Sequence, residues 1–112
     1  MAVIGENAVR HNANGFFGAG VKTPYEITPL EGIKQFVGDK ATVTYATGYA
    51  RNGGGSNLVA EAVAAAHKAD VVIVVAGLSH TRYQDDEGWD RTSLSLPYGQ
   101  DELIKQVVAA NP

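Results

Sequence analysis

Five consecutive β-branched residues, Val71-Val72-Ile73-Val74-Val75, set the tightest limit on what this chain folds into. The run does not alternate apolar with polar positions. A strand built from it predicts apolar cover on both faces, as in the middle of a parallel sheet. It leads through Ala76-Gly77 into the acidic stretch Gln84-Asp85-Asp86-Glu87-Gly88-Trp89-Asp90-Arg91. Loops that leave the C-terminal ends of parallel strands gather on one edge of the sheet, where ligands bind. An edge loop with three adjacent carboxylates is therefore the first candidate site.

The rest of the chain supplies the partners such a strand needs. Ala2-Val3-Ile4 reads as a short buried strand, followed by an edge loop from Gly5 to Lys22 that holds Arg10, His11 and Gly15-Phe16-Phe17-Gly18-Ala19-Gly20. Thr28-Pro29-Leu30-Glu31 predicts a helix start, with Thr28 as cap, Pro29 at the first helical position and Glu31 closing a capping box. Leu30, Ile33, Phe36 and Val37 form its apolar stripe, and Gly38 ends it in the left-handed conformation. Ala41 to Tyr45 alternates and reads as a second strand. Gly48 to Ser56 is a further edge loop, after which Asn57 caps a helix to about Lys68, with Leu58, Val59, Ala62, Val63 and Ala66 inward. A last helix spans Gly99 to Ala110 and buries Leu103, Ile104, Val107 and Val108; Pro112 stops it.

Helices alternating with strands predict parallel pairing through right-handed crossovers. The expected fold is α/β: a three-layer sandwich on a mostly parallel sheet, incomplete here, with three strands and three helices. The expected strand order is two-one-three, with the first strand central.

Composition removes several function classes. With 112 residues the chain is one domain at most. A net charge of −3 without a Lys/Arg cluster speaks against a nucleic-acid partner. No stretch is long enough for a membrane helix, so no membrane partner is expected. Without Cys there are no disulfides or thiolate metal sites. The abrupt first strand and the stop at Asn111-Pro112 suggest a piece of a longer protein, so the lack of a visible leader says nothing about compartment.

The candidate residues divide by chemistry. Gly15, Gly18 and Gly20 come too late after the first strand for a dinucleotide fingerprint, which needs a helix N-terminus at that turn. His11, His67 and His80 lack metal-ligand spacing, and no metal is expected. Ser56 and Ser79 lack a nucleophile-elbow context. In the acidic loop, mutual repulsion among Asp85, Asp86 and Glu87 beside Trp89 would raise one carboxyl pKa, which suits a proton donor. Glycoside cleavage requires such a donor with a second carboxylate across the sugar. Trp89, Phe16 and Phe17 are residue types that stack on sugar rings. The same loop also reads as solvated charge, with Asp90 and Arg91 as an internal ion pair.

Several stretches together carry a resemblance: Ala2-Val3-Ile4-Gly5-Glu6-Asn7-Ala8, Tyr25 to Ile33, Val43 to Tyr49, Ala69 to Gly77, and Glu87-Gly88-Trp89-Asp90-Arg91 with Leu94 to Pro97 and Gly99 to Ile104. In this order they resemble the first part of the C-terminal α/β sandwich domain of glycoside hydrolase family 3, the β-glucosidase and β-xylosidase family. The resemblance implies that residues 1–112 are part of that domain and that a separate (β/α)8 barrel carries the Asp nucleophile of a retaining mechanism. It implies Glu87 as general acid/base, with Asp86 or Asp85 as alternatives. It further implies substrate contacts from Arg10, His11, Phe16, Phe17 and Trp89, a structural role for Asp90 and Arg91, no cofactor, and a β-linked oligosaccharide or glycoside as substrate. The family's glycine loop often ends Gly-Gly-Gly-Ser, whereas this chain reads Gly18-Ala19-Gly20-Val21. The alternative expectation is a non-catalytic α/β ligand-binding or interaction module. Without the rest of the domain, the run Val71 to Val75 is expected at a bare edge, prone to self-association.

Overall fold

The computed structural model of the chain describes residues 1–12, 22–53, 57–81, 83–85 and 88–112. Three strands, β1 (Ala2–Ile4), β2 (Thr44–Ala46) and β3 (Val72–Val74), alternate with three helices, α1 (Pro29–Val37), α2 (Asn57–His67) and α3 (Gln100–Ala110). Short helical turns follow β1 at Glu6–Val9, follow α1 at Gly38–Lys40 and precede α3 at Pro97–Gly99. The sheet order is β2-β1-β3 and both pairings are parallel. Val3 lies opposite Tyr45 on one side and Ile73 on the other. Order and direction are those expected from the alternation of elements.

The sheet separates two apolar clusters, and this makes three layers. On one face, Ile4, Ala46, Val72 and Val74 pack with Val59, Ala62 and Ala66 of α2 and Leu103 and Val107 of α3. On the other, Val3, Tyr45 and Val75 pack with Leu30 and Ile33 of α1. The side-chain period of two along each strand produces this division. Alanines at positions 62 and 66 bring α2 close to the sheet and to α3, which is how a chain rich in small residues still forms a core.

α1 begins as its sequence dictates. Thr28 caps it in extended backbone, Pro29 occupies the first turn, and Thr28 and Glu31 form both halves of the capping box. Its end differs from expectation: Gly38 has φ 51° and ψ −131°, outside the left-handed helical region. The apolar stripe is also narrower, because Phe36 is 88% exposed while Leu30 is buried. The cluster under α1 takes Leu30 and Ile33, and Phe36 lies outside it. In α3, Leu103 and Val107 are buried whereas Val108 is 58% exposed. Val107 already fills the contact with α2, and the next residue turns 100° away from it.

β3 is shorter than expected. Its strand covers Val72–Val74 rather than Val71 to Val75, and all three residues are only half-buried. Val71 is 49% exposed. β3 is an edge strand, as the expected order places it, and the apolar run has one neighbour. β2 is likewise shifted to Thr44–Ala46, away from the expected Ala41 to Tyr45. α2 already includes Asn57, which was expected as its cap.

Candidate functional site

The loops after the three strands meet at the C-terminal edge of the sheet, and buried polar side chains join them. Gly5 follows β1 with φ +131°, and a Cβ there would lie 2.2 Å from the Val75 carbonyl oxygen. Only glycine allows the β1 and β3 ends to approach so closely. Gly48, after β2, has φ +68° and would place a Cβ 2.8 Å from Leu103 Cδ2. Its missing side chain lets α3 reach the strand ends.

Tyr49 is 3% exposed. Its hydroxyl accepts from the Asn7 backbone N–H at 3.2 Å and donates to the Val75 carbonyl at 3.1 Å. One phenol from the β2 loop thus holds the starts of the other two loops. Burial pushes its pKa above the ordinary tyrosine value, with the nearby Glu6 charge adding to the effect and the Asn7 hydrogen bond opposing it. Asn7, 9% exposed, sends its side-chain Nδ2 to the Leu78 carbonyl at 3.3 Å. Glu6 joins the first two loops: Oε1 pairs with Arg10 Nη1 at 2.9 Å and Arg51 Nε at 3.4 Å, and Oε2 accepts from the Arg51 N–H at 2.6 Å.

The loop after β3 is held from both ends. Gln100 is fully buried at the start of α3, and its amide bonds both backbone groups of Gly77. Ser79 Oγ donates to Gln84 Oε1 at 3.2 Å, and Gln84 Nε2 donates to the Tyr98 hydroxyl at 2.6 Å. His80 Nδ1 lies 3.3 Å from Asp85 Oδ2. Tyr83 and Trp89 meet edge to face, their ring centroids 5.4 Å apart. Tyr83 and Tyr98 both have positive φ, at 67° and 61°. That backbone conformation is uncommon for bulky residues and here flanks the candidate loop.

A cleft of about 300 Å3 lies beside this loop, lined by Leu78, Tyr83, Gln84, Arg91, Leu96 and Pro97 among others. A larger hollow of about 640 Å3, lined by Met1, Lys40, Thr44, Glu61 and Lys68, opens at the opposite edge of the sheet. The smaller cleft is the one lined by residues of the β3 loop, Tyr83 and Arg91 among them. No group of three or more His, Asp or Glu side chains placed to hold a metal occurs among the described residues.

The candidate residues fall out as follows. Arg10 is committed to Glu6, and its buried Nε has no partner among the described residues. His11 is exposed and 3.6 Å from Glu26 Oε2. Asp85 and Trp89 share the β3 loop. Arg91 bonds the Ser95 carbonyl at 3.3 Å, and no ion pair joins it to Asp90. The two residues therefore do not form the internal pair the sequence allowed. Phe16, Phe17, Asp86, Glu87 and the glycine loop lie outside the described residues. Tyr49, Asn7 and Gln100 were missed from the sequence; their signal is an isolated polar or aromatic residue directly beside a strand end or a helix start.

Polar and aromatic groups gathered at the C-terminal strand edge of a three-layer α/β domain stand where ligands of such folds bind. The chain belongs to glycosyl hydrolase family 3: the family's C-terminal domain matches residues 1–112. It is 36% identical to Beta-glucosidase BoGH3A of Bacteroides ovatus, over 99% of this chain and 16% of that protein. Probable beta-D-xylosidase 7 of Arabidopsis thaliana is also 36% identical, over 98% of this chain and 14% of that protein. Among solved structures, a GH3 exo-beta-xylosidase (XlnD) in complex with a xylobiose aziridine activity-based probe superposes with a TM-score of 0.77 at 28% identity, over 99% of this chain and 14% of that one. The chain thus spans about a sixth of the length of these relatives or less.

Proposed function

We propose that residues 1–112 are the acid/base-bearing part of a retaining β-glycosidase that removes terminal non-reducing β-linked sugars, a β-glucosidase in the first instance. The supporting observation is that Gln84, Asp85 and Gly88 to Arg91 follow the C-terminal end of β3, in a chain that matches the family domain throughout. In this reading Glu87 protonates the glycosidic oxygen while an Asp on a separate barrel domain attacks the anomeric carbon. Glu87 then takes the proton of the water that releases the sugar. In retaining enzymes the two carboxyl groups stand about 5–5.5 Å apart. Asp85 is already engaged by His80, which favours its neighbours for the acid role. Trp89 and Tyr83 offer aromatic surface for a sugar ring, and Arg10 and His11 offer donors from the β1 loop. No metal or organic cofactor enters this chemistry.

The test uses the full-length protein that carries this chain. Glu87→Ala is expected to slow hydrolysis of unactivated glycosides by about 10²–10⁴-fold, the usual worth of a general acid. An activated aryl leaving group should restore the first step, and azide should then give a glycosyl azide of retained configuration. The same pattern from Asp86→Ala or Asp85→Ala would move the role along the loop. If none of the three responds, the non-catalytic module becomes the better reading.

A further inference from the structure

We infer that Asn7 and Tyr49 are positioning residues: they fix the loop after β3, which on the reading above carries the acid/base, against the loops after β1 and β2. Both side chains are buried, and a buried polar group costs free energy unless its hydrogen bonds are made. An apolar side chain would fill the same space without that cost. What the polar groups add is direction. Tyr49 fixes the Val75 carbonyl, Gln100 fixes both backbone groups of Gly77, and Asn7 fixes the Leu78 carbonyl. Three backbone positions within the four residues Val75 to Leu78, at the exit from β3, are thus tied to three different elements.

The ties continue outward. Ser79 follows Leu78 directly and bonds Gln84, whose amide reaches Tyr98. Asp85 comes next, and its carboxylate lies against His80. The path from Asn7 to the acidic stretch therefore contains a specific bond at nearly every described step. Asn7 and Leu78 are 71 residues apart in sequence, so the tie is tertiary and cannot be replaced by local turn geometry. Loss of the Asn7 or Tyr49 bonds would leave the apolar clusters intact and release the loop.

The single tryptophan of the chain, Trp89, lies in that loop and reports its position without any turnover. Acrylamide quenching of Trp89 fluorescence would be compared for the wild-type chain, Asn7→Ala, Tyr49→Phe and Ile33→Ala, each well below its own melting temperature. Ile33 packs in the α1 cluster, on the opposite face of the sheet from the Tyr49 ring, makes none of these hydrogen bonds, and serves as the control for stability loss alone. Asn7→Ala and Tyr49→Phe are expected to raise the quenching constant about twofold, with Ile33→Ala unchanged. An unchanged constant in both site variants, or an equal rise in Ile33→Ala, would overturn the inference. If Asn7→Ala fails to fold, Tyr49→Phe, which keeps its ring in place, decides alone. The readout involves no chemistry, so its failure is distinguishable from failure of the Glu87→Ala rescue.

Discussion

The side-chain amide of Gln100 pairs with both backbone groups of Gly77, accepting from its N–H at 2.8 Å and donating to its carbonyl at 3.0 Å. A glutamine at the start of α3 thereby does the work of a neighbouring strand just past the end of β3. The pairing needs one donor and one acceptor in a fixed geometry, which an amide supplies and a carboxylate does not.

Gln100→Glu tests this directly. As a carboxylate it leaves the Gly77 carbonyl unpaired beside a buried charge, and the chain should lose about 2–4 kcal/mol at neutral pH. In its protonated form the new side chain can donate to that carbonyl, so its pKa is raised in the folded state. The variant should therefore recover stability as pH falls from the raised folded-state pKa toward the unfolded carboxyl value of about 4.3, with recovery complete below it, and lose it as pH rises through that window. Chemical denaturation of variant and wild type across pH 3–7 would show it; parallel curves would refute the pairing.

Gly5→Ala is expected to be severe. The added methyl group would overlap the Val75 carbonyl oxygen at 2.2 Å in a backbone conformation that alanine avoids. A loss above about 3 kcal/mol, or failure to fold, is expected from backbone strain and clash combined. Thermal melting followed by circular dichroism measures it. A variant with a wild-type melting point would mean that β1 and β3 can separate at little cost.

The α1 cap carries an acid-sensitive contribution. The Thr28 N–H donates to Glu31 Oε2 at 2.8 Å and the Thr28 hydroxyl donates to the same oxygen at 2.9 Å. These bonds, the backbone one first, hold the Glu31 pKa below its ordinary value. A depressed folded-state pKa gives stability that is present above the unfolded value, about 4.3, and is lost as pH falls through the folded one. Glu31→Gln should flatten the acid limb of the melting temperature. Thr28→Ala should lower stability by about 1 kcal/mol at all pH values from 5 to 8.

The isolated chain is expected not to hydrolyse p-nitrophenyl β-glucoside above background. An acid/base without its nucleophile and without a sugar-binding subsite stabilises little of the transition state. Turnover by the chain alone that Glu87→Gln abolishes would show that the nucleophile lies within these residues.

Self-association through β3 is expected of the isolated chain. In the parallel register with β1, alternate residues of β3 turn their backbone groups away from it, and Val72 and Val74 are those residues. A twofold axis through Ile73 would pair Val72 of one copy with Val74 of the other, and no charge, Pro or bulge interrupts Val71 to Ala76. Sedimentation at about 100 μM should show species heavier than the 11.8 kDa monomer. Val71→Lys, at a position already 49% exposed, should shift them toward monomer. A clean, cooperatively melting monomer of the wild type would contradict this.

The sequence by itself determined the alternation of elements, the parallel pairing, the strand order and the Thr28–Glu31 cap. Each rests on local periodicity or on contacts within one helical turn, which the order of residues states directly. That a polar loop leaves the end of β3 was legible for the same reason, because a strand followed by polar residues reads in one direction. Only the tertiary structure decided which face of α1 is covered, and it left Phe36 outside the cluster that Leu30 and Ile33 join. Tertiary structure also left β3 half-buried, since an apolar run records a tolerance for burial and not how much cover it receives. The bonds that fix the candidate site join residues far apart: Asn7 with Leu78, Tyr49 with Val75, Gln100 with Gly77. Such pairs leave no periodic trace. A buried Asn, Tyr or Gln takes whichever backbone group the packed chain brings within about 3 Å, and that choice exists only once the layers have closed.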